Sequence, residues 1–454
     1  MSIKSINPTT GMLVAEYEPM ADPAIDAALE RSQAAFRRQQ HRSFAARAAC
    51  LRALSARLLA EQAQLSRLLT EEMGKTRAAA KAEIEKCAWV CRYYAEHGER
   101  FLADSTIESD ASMSYVRNLP LGPVLAVMPW NFPFWQVLRF AAPALMAGNT
   151  ALLKHASNVP RAALALEDLI SSAGFDGGEF QTLLIETGTV ERVLRDSRVR
   201  AATVTGSVTA GTAVAAIAGS VAKKTVLELG GSDAFLVMPS ADLSSAVDAA
   251  VTSRTINNGQ SCIAAKRFIV HSEVHDRFLS AMIERFESLT VGDPMDDGTD
   301  VGPLAMRRSR ERLMQQIDAL IADGATRLSG AVPMDGPGNF VRPGVLSVPP
   351  MDCDTIRQEL FGPVALVFEA DSLDTALAIA NDNPYGLGSS IWTRDSTETE
   401  RAANELDAGA TFVNSIVASD PRLPFGGVKS SGYGRELSAL GILEFVNRKT
   451  VSIA

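Results

Sequence analysis

The chain has 454 residues, 46% of them hydrophobic and 21% charged, a balance that excludes a disordered polypeptide and is ample for about three domain-sized cores. A net charge of −9 argues against nucleic acid or an anionic membrane as principal partner, so any anionic ligand has to be held locally. No apolar run approaches the ~18 residues of a membrane span and residues 1–8 lack the core of a signal peptide, which points to the cytoplasm.

The first hundred residues read as helices. Asp22 followed by Pro23 marks the start of one that reaches about residue 40. Ser43 caps a second, running to about 73 and ended by Gly74, and a third covers 76–102. Cys87 and Cys91 lie four apart in the third, but no other Cys or His nearby completes a metal site, so no metal is expected. The five cysteines (Cys50, Cys87, Cys91, Cys262, Cys353) suit a reducing compartment.

From residue 112 the texture changes to short β-rich runs at 113–118, 124–128 and 150–154. Between the last two stands Pro129-Trp130-Asn131-Phe132-Pro133-Phe134-Trp135, followed by a helix over 136–147 that Gly148 ends. Two prolines and several aromatics demand a rigid turn after a strand, where open α/β sheets bind ligands. Asn131 either caps that turn or aims its amide at a developing oxyanion.

Strand 150–154 runs into Lys154-His155-Ala156-Ser157 and a helix over 160–173. Strands follow at 180–185 and 200–205, the latter opening into Gly206-Ser207-Val208-Thr209-Ala210-Gly211 and an Ala-rich helix. This alternation predicts a parallel, doubly wound sheet. The glycine turn is not the G-x-G-x-x-G fingerprint, but its place before a helix N-terminus suits a pyrophosphate. Strand 223–228 then ends in Glu228-Leu229-Gly230-Gly231. With apolar neighbours, Glu228 is either structurally paired or kept for a shifted pKa.

Asn257-Asn258-Gly259-Gln260-Ser261-Cys262 sets one cysteine directly after a polar, glycine-containing turn. A free cysteine is ordinarily a small buried hydrophobe; its company in the distinctive motifs around Asn131, Glu228 and Glu359 makes Cys262 a candidate nucleophile. Helices at 240–256, 274–289 and 306–323 alternate with strands at 266–271, 364–369, 389–393 and 411–414, a second α/β domain. Residues 446–453 alternate like a strand. With 113–118 they suggest a β arm whose exposed edge another subunit covers, in a homodimer or homotetramer.

Taken together, Pro129-Trp130-Asn131-Phe132-Pro133, Gly206-Ser207 with Gly211, Glu228-Leu229-Gly230-Gly231, Gly259-Gln260-Ser261-Cys262, Glu359-Leu360-Phe361-Gly362-Pro363 and Pro424-Phe425-Gly426-Gly427-Val428-Lys429 resemble the aldehyde dehydrogenase superfamily. The order is right over essentially the whole chain, and the likeness is greatest to the short bacterial NADP-dependent succinate semialdehyde dehydrogenases. The resemblance implies an α/β fold: a Rossmann-like cofactor domain (1–110 and 131–228), an α/β catalytic domain (229–430), and a small β oligomerisation arm with a C-terminal segment (111–130 and 431–454).

It also implies roles. Cys262 would add to the aldehyde as a thiolate, Asn131 and the Cys262 amide would hold the oxyanion, and Glu228 would activate the water that hydrolyses the thioester. Trp130, Lys154, Ser157, Gly206, Ser207, Gly211, Leu229, Glu359 and Phe361 would hold the cofactor. NAD-dependent relatives commonly carry a glutamate where Ser157 stands, so Ser157 with Lys154 predicts NADP, with NAD used less efficiently.

Arg139 either snorkels to solvent or, as in similar enzymes, binds a distal carboxylate with help from Ser419; Ser261 beside the nucleophile is a third candidate, and Trp135 either walls the substrate tunnel or belongs to the core. Those relatives often carry a second arginine where Ile256 stands here, with Arg254 two residues earlier. Glutarate semialdehyde, or a broad range of aldehydes with NAD or NADP, therefore stays open as an alternative to succinate semialdehyde. Ala264, two residues past the nucleophile, leaves Cys262 without a local disulfide partner.

Overall fold

The computed structural model describes residues 2–454. Its N-terminal helices start and stop where side chains can take up loose backbone groups. Ser43 accepts from the Ala46 N–H ahead of Phe44–Ala60, and Thr76 accepts from Ala79 ahead of Arg77–Phe101. Gly74 ends Gln62–Met73 at φ 85°, a left-handed turn natural to glycine.

Two boundaries differ from expectation. The helix expected over 43–73 breaks at Glu61, whose φ of −98° and ψ of 10° leave helical geometry. The cap of Asp22–Gln39 falls on Ala21, and Asp22 lies in the first turn, where a carboxylate favours the helix dipole.

Five strands form a parallel sheet in the order Phe180–Thr182, Thr150–His155, Pro123–Met128, Ala201–Thr205, Lys224–Glu228, and Gly432–Tyr433 adds antiparallel at its edge. From Pro123–Met128 the chain winds outward in one direction through residues 150 and 180, then crosses to the other side at 201. Pro123–Met128 and Ala201–Thr205 thus flank a topological switch point, where open α/β sheets leave a crevice at their carboxyl ends.

The arm expected over 111–130 is shorter on this account. Pro123–Met128 belongs to the middle of the sheet, because five of its six residues are buried and need neighbours on both sides. Gly432–Tyr433, expected in the C-terminal segment, likewise joins this sheet.

A second, seven-stranded sheet is built around Gly344–Ser347, Val364–Ala370, Arg267–His271, Ala234–Val237, Ser389–Trp392 and Thr411–Val413, all parallel, with Thr326–Ser329 antiparallel at one edge. Cys262, Glu359 and Asp233 each precede one of its strands. The amino ends of this sheet therefore face the carboxyl ends of the first.

A third sheet pairs Val446–Ile453 with Met113–Pro120, and Ser105–Thr106 lies on the other side. Ile107, Met113 and Ile453 are about half exposed there. Among the described residues no helix is long and apolar enough to cross a membrane.

Candidate active site

The loop before Cys262 is a compact object in its own right. Asn257, Asn258 and Gly259 take φ of 55°, 58° and 74° in succession, a left-handed run that asparagine and glycine tolerate best. Side chains hold it there. Asn258 Nδ2 donates to the carbonyls of Gly74 and Pro303, at 2.8 and 3.0 Å, and Asn257 Nδ2 donates to Asn131 O at 2.7 Å. Arg254, fully buried, donates to the carbonyls of Gly259 and Ala265, so it is unavailable for a substrate carboxylate.

Close packing brings the other motifs against this loop. A Cβ on Gly259 would lie 2.3 Å from Gly362 C, and one on Gly231 would lie 2.6 Å from Cys262 O. A Cβ on Gly426 would lie 2.7 Å from Glu228 Oε1. Glycine is required at these three contacts because the backbones or carboxylate leave no room for a side chain.

Asn131 lies beside the Cys262 loop: its Nδ2 donates to Gln260 O at 3.1 Å. An amide nitrogen carries two hydrogens, so a second N–H remains for a ligand. The Cys262 N–H has no acceptor among the described residues. Cys262 is half-buried at the edge of a cleft, and burial pushes its thiol up to about 12 against the pull of Arg139 and Lys266.

Lys266, which sequence reasoning missed, donates to the carbonyls of Ser261 (2.9 Å) and Cys262 (2.5 Å), with Glu359 Oε1 3.8 Å away. Its only signal was a cation four residues after the cysteine.

Glu228 ends its strand 2% exposed, and neither carboxylate oxygen has a hydrogen-bond partner. Burial raises its pKa well above the ordinary range. Arg139 opposes that shift and Glu436 adds to it. An unpartnered buried carboxyl of this kind is an acid at rest and a strong base once ionised.

The cleft encloses about 600 Å³ and is lined by Trp130, Asn131, Gly206, Ser207, Thr209, Leu229, Cys262, Glu359 and Phe361 among others. These residues fit a dinucleotide. The helix Val208–Ser220 points its N-terminus into the cleft, and the space over Gly206 is open, since a Cβ there would touch nothing within 4 Å. Glu359 accepts from the Gly231 N–H at 3.1 Å and offers its other oxygen for ribose hydroxyls. Trp130 and Phe361 meet edge to face, 5.7 Å between centroids.

Three of the expected cofactor residues stand elsewhere. Gly211 packs on Leu229, where a Cβ would lie 2.4 Å from Cδ2; it is needed for helix–strand contact and does not line the cleft. Lys154 is buried at the end of its strand. Ser157 lines a neighbouring cavity with Arg307, Arg308 and Arg310, and Arg308 and Met306 border both spaces. Arg308 had no motif to mark it.

Of the two readings of Arg139, burial excludes the one in which it snorkels to solvent. Its guanidinium is 1% exposed, forms an ion pair with Glu436 and sits over the Phe425 ring at 4.6 Å. It neither snorkels nor stands free. Ser261 has a buried, unpartnered hydroxyl. Ser419 and Trp135 come together around a residue absent from the expected set, Lys86.

A model of the aldehyde dehydrogenase family matches residues 1–451 of the chain. The succinate-semialdehyde dehydrogenase [NADP(+)] 1 of Mycobacterium tuberculosis is 54% identical, covering 100% of both chains. The succinate-semialdehyde dehydrogenase [NADP(+)] of Mycobacterium avium is 52% identical over 100% of this chain and 97% of its own. The crystal structure of succinic semialdehyde dehydrogenase from Streptococcus pyogenes in complex with NADP+ is 36% identical, with a TM-score of 0.97 over 99% of each chain.

Proposed function

The chain belongs to the aldehyde dehydrogenase family, and we propose that it oxidises succinate semialdehyde to succinate with NADP+. The full-length likeness to relatives of that name carries this reading. The carbonyl carbon is attacked by the Cys262 thiolate. The free Asn131 N–H and the Cys262 N–H receive the oxyanion. Bound NADP+ supplies the hydride acceptor.

Loss of hydride from the adduct leaves a thioester on Cys262. Water then adds to the acyl carbon as Glu228 takes its proton, the C–S bond breaks, and the carboxylic acid leaves with the Cys262 thiolate restored. Relatives that pass the acyl group to another acceptor need no such base, so the unpartnered Glu228 supports hydrolysis.

The residues of this chain that would hold the cofactor are the first turn at Ser207–Thr209 for the pyrophosphate, Glu359 for ribose hydroxyls, and Trp130, Leu229 and Phe361 as walls. Ser157, short and neutral where a carboxylate would repel a 2′-phosphate, suits NADP+, and Arg308 lines the same cavity. The half-exposed apolar side chains on the three-stranded sheet support a homo-oligomer that covers the edge strand Val446–Ile453. Residues 1–110 with 123–228, which include the central strand Pro123–Met128, and residues 229–430 serve as cofactor and catalytic domains.

A panel of aldehydes of graded chain length, with and without a terminal carboxylate, tests the substrate. Succinate semialdehyde with NADP+ should give the highest kcat/KM. A higher value for an uncharged aldehyde, or with NAD+, would overturn the corresponding half of the reading.

A further inference from the structure

The peptide group that joins Ser261 to Cys262 has the Ser261 carbonyl at one end and the Cys262 N–H at the other. A planar trans peptide points its N–H away from its C=O, and the described residues contain no cis peptide bond. Whatever takes hold of Ser261 O therefore sets the direction of the Cys262 N–H.

Two donors take hold of it. Lys266 Nζ donates to Ser261 O at 2.9 Å, and the Ala264 N–H donates to the same oxygen at 3.2 Å. Lys266 Nζ also donates to Cys262 O at 2.5 Å, which fastens the following peptide group as well. An ammonium has three hydrogens; two go to these carbonyls, and Glu359 Oε1 stands 3.8 Å away as counter-ion. Lys266 is 0% exposed and is absent from the lining of the cleft, whereas Cys262 lines it. The ammonium thus reaches Ser261 O from the interior and leaves the opposite end of the peptide group for the cleft. The Cys262 N–H at that end has no acceptor among the described residues.

The charge of Lys266 matters as well as its position. A carbonyl that accepts from an ammonium is polarised, and hydrogen-bond cooperativity then makes the N–H of the same peptide group a stronger donor. Burial pulls the Lys266 pKa down, and Glu359 and then Asp233 oppose that pull. A donor already fixed and polarised needs no reorganisation when negative charge develops on a substrate oxygen.

We propose that Lys266 is a positioning residue for the oxyanion: through Ser261 O it aims and polarises the Cys262 N–H, which receives the negative charge when the thiolate adds to a carbonyl. This rests on Cys262 being the nucleophile. Lys266 acts only through the backbone, because the groups it holds are the two carbonyls and the Glu359 carboxylate.

Two cofactor-free reactions of the same thiol separate this role from a structural one. In the first, the Cys262 thiolate adds to the carbonyl carbon of p-nitrophenyl acetate, an oxyanion forms and collapses, the ester C–O bond breaks, and p-nitrophenolate leaves with the acetyl group on sulfur. In the second, the thiolate displaces iodide from iodoacetamide, and no oxyanion forms. A change in the pKa or access of the thiol alters both rates alike, whereas a misdirected N–H slows only the first. The p-nitrophenolate burst rate and the alkylation rate are measured at one pH in wild type, K266M and K266Q, each corrected with C262A. Outright removal of an oxyanion donor costs about 10²–10³ in rate; here the N–H remains but is no longer held, so the ratio of acylation to alkylation should fall by about tenfold or more. An unchanged or higher ratio in whichever variant folds, whether the two rates fall together or not at all, overturns the role of Lys266. Wild-type acylation no faster than that of C262A overturns Cys262 as the nucleophile and Lys266 with it, so the wild-type measurement tells the two failures apart.

Discussion

The Arg139 guanidinium and the Glu436 carboxylate form an ion pair whose side chains are 2% and 5% exposed. Glu436 also exchanges backbone hydrogen bonds with Phe425, at 2.7 and 2.8 Å, and the Phe425 ring lies under the same guanidinium. This arrangement fastens the C-terminal segment to the helix that follows Asn131. Removing one partner leaves the other charged and buried. R139M should therefore lower stability by about 3–5 kcal/mol and depress kcat/KM for charged and uncharged aldehydes alike. Chemical denaturation and two-substrate kinetics check this; a loss confined to carboxylated aldehydes would return the substrate contact to Arg139.

Glu228 should govern release of the acid product. In E228Q the first turnover proceeds and the thioester accumulates, so NADPH appears as a burst followed by a steady rate slower by about 10²–10³-fold. Because burial raises the Glu228 pKa, the ionised base is scarce at low pH. Wild-type kcat should rise with pH through a value above the ordinary carboxylate range, and the E228Q profile should lose that step. Rapid-quench kinetics across pH would reveal either behaviour.

Gly426 offers a separate probe of the same carboxylate. A Cβ there would lie 2.7 Å from Glu228 Oε1 and 2.8 Å from Gly434 O. Backbone cannot give way as a flexible side chain can, so G426A should displace Glu228 and slow deacylation by about tenfold or more. Acylation, read as the burst rate, should suffer less. Equal slowing of both phases would show that the substitution acts on the whole site.

The Cys262 thiol, held up to about 12 by burial, keeps its proton at neutral pH in the ligand-free protein. Alkylation by iodoacetamide, corrected with C262A, should accelerate about tenfold per pH unit through pH 10. A plateau near pH 8 would mean that Arg139 and Lys266 outweigh burial.

Cofactor preference should turn on charge at residue 157. S157E places a carboxylate in the cavity that Arg307, Arg308 and Arg310 share, where it would repel a 2′-phosphate. KM for NADP+ should rise by about tenfold or more while KM for NAD+ falls or holds. Direct titration of each cofactor by fluorescence checks the binding half independently of turnover.

Local chemistry was legible in the chain itself. The polar turn at Asn257-Asn258-Gly259, the cap Ser43, the glycine stop at Gly74 and the strand–turn–helix at Gly206 are decided by neighbours a few residues away, and side-chain type reports such preferences directly. The order of the motifs around Asn131, Glu228, Cys262 and Glu359 was readable for the same reason. The middle strand Pro123–Met128 was misplaced into the arm because burial on both faces is a property of the sheet.

The charged residues of the site were decided only by tertiary structure. Arg139 meets Glu436 from 297 positions away, and Lys86 meets Ser419 from 333 positions away. Whether a buried cation is free for substrate depends on which anion the fold brings against it, and no pattern around Arg139 or Lys86 encodes that. Sequence alone thus marked candidates for the nucleophile, the oxyanion donor and the base as types in motifs; folding decided which anion each buried cation meets.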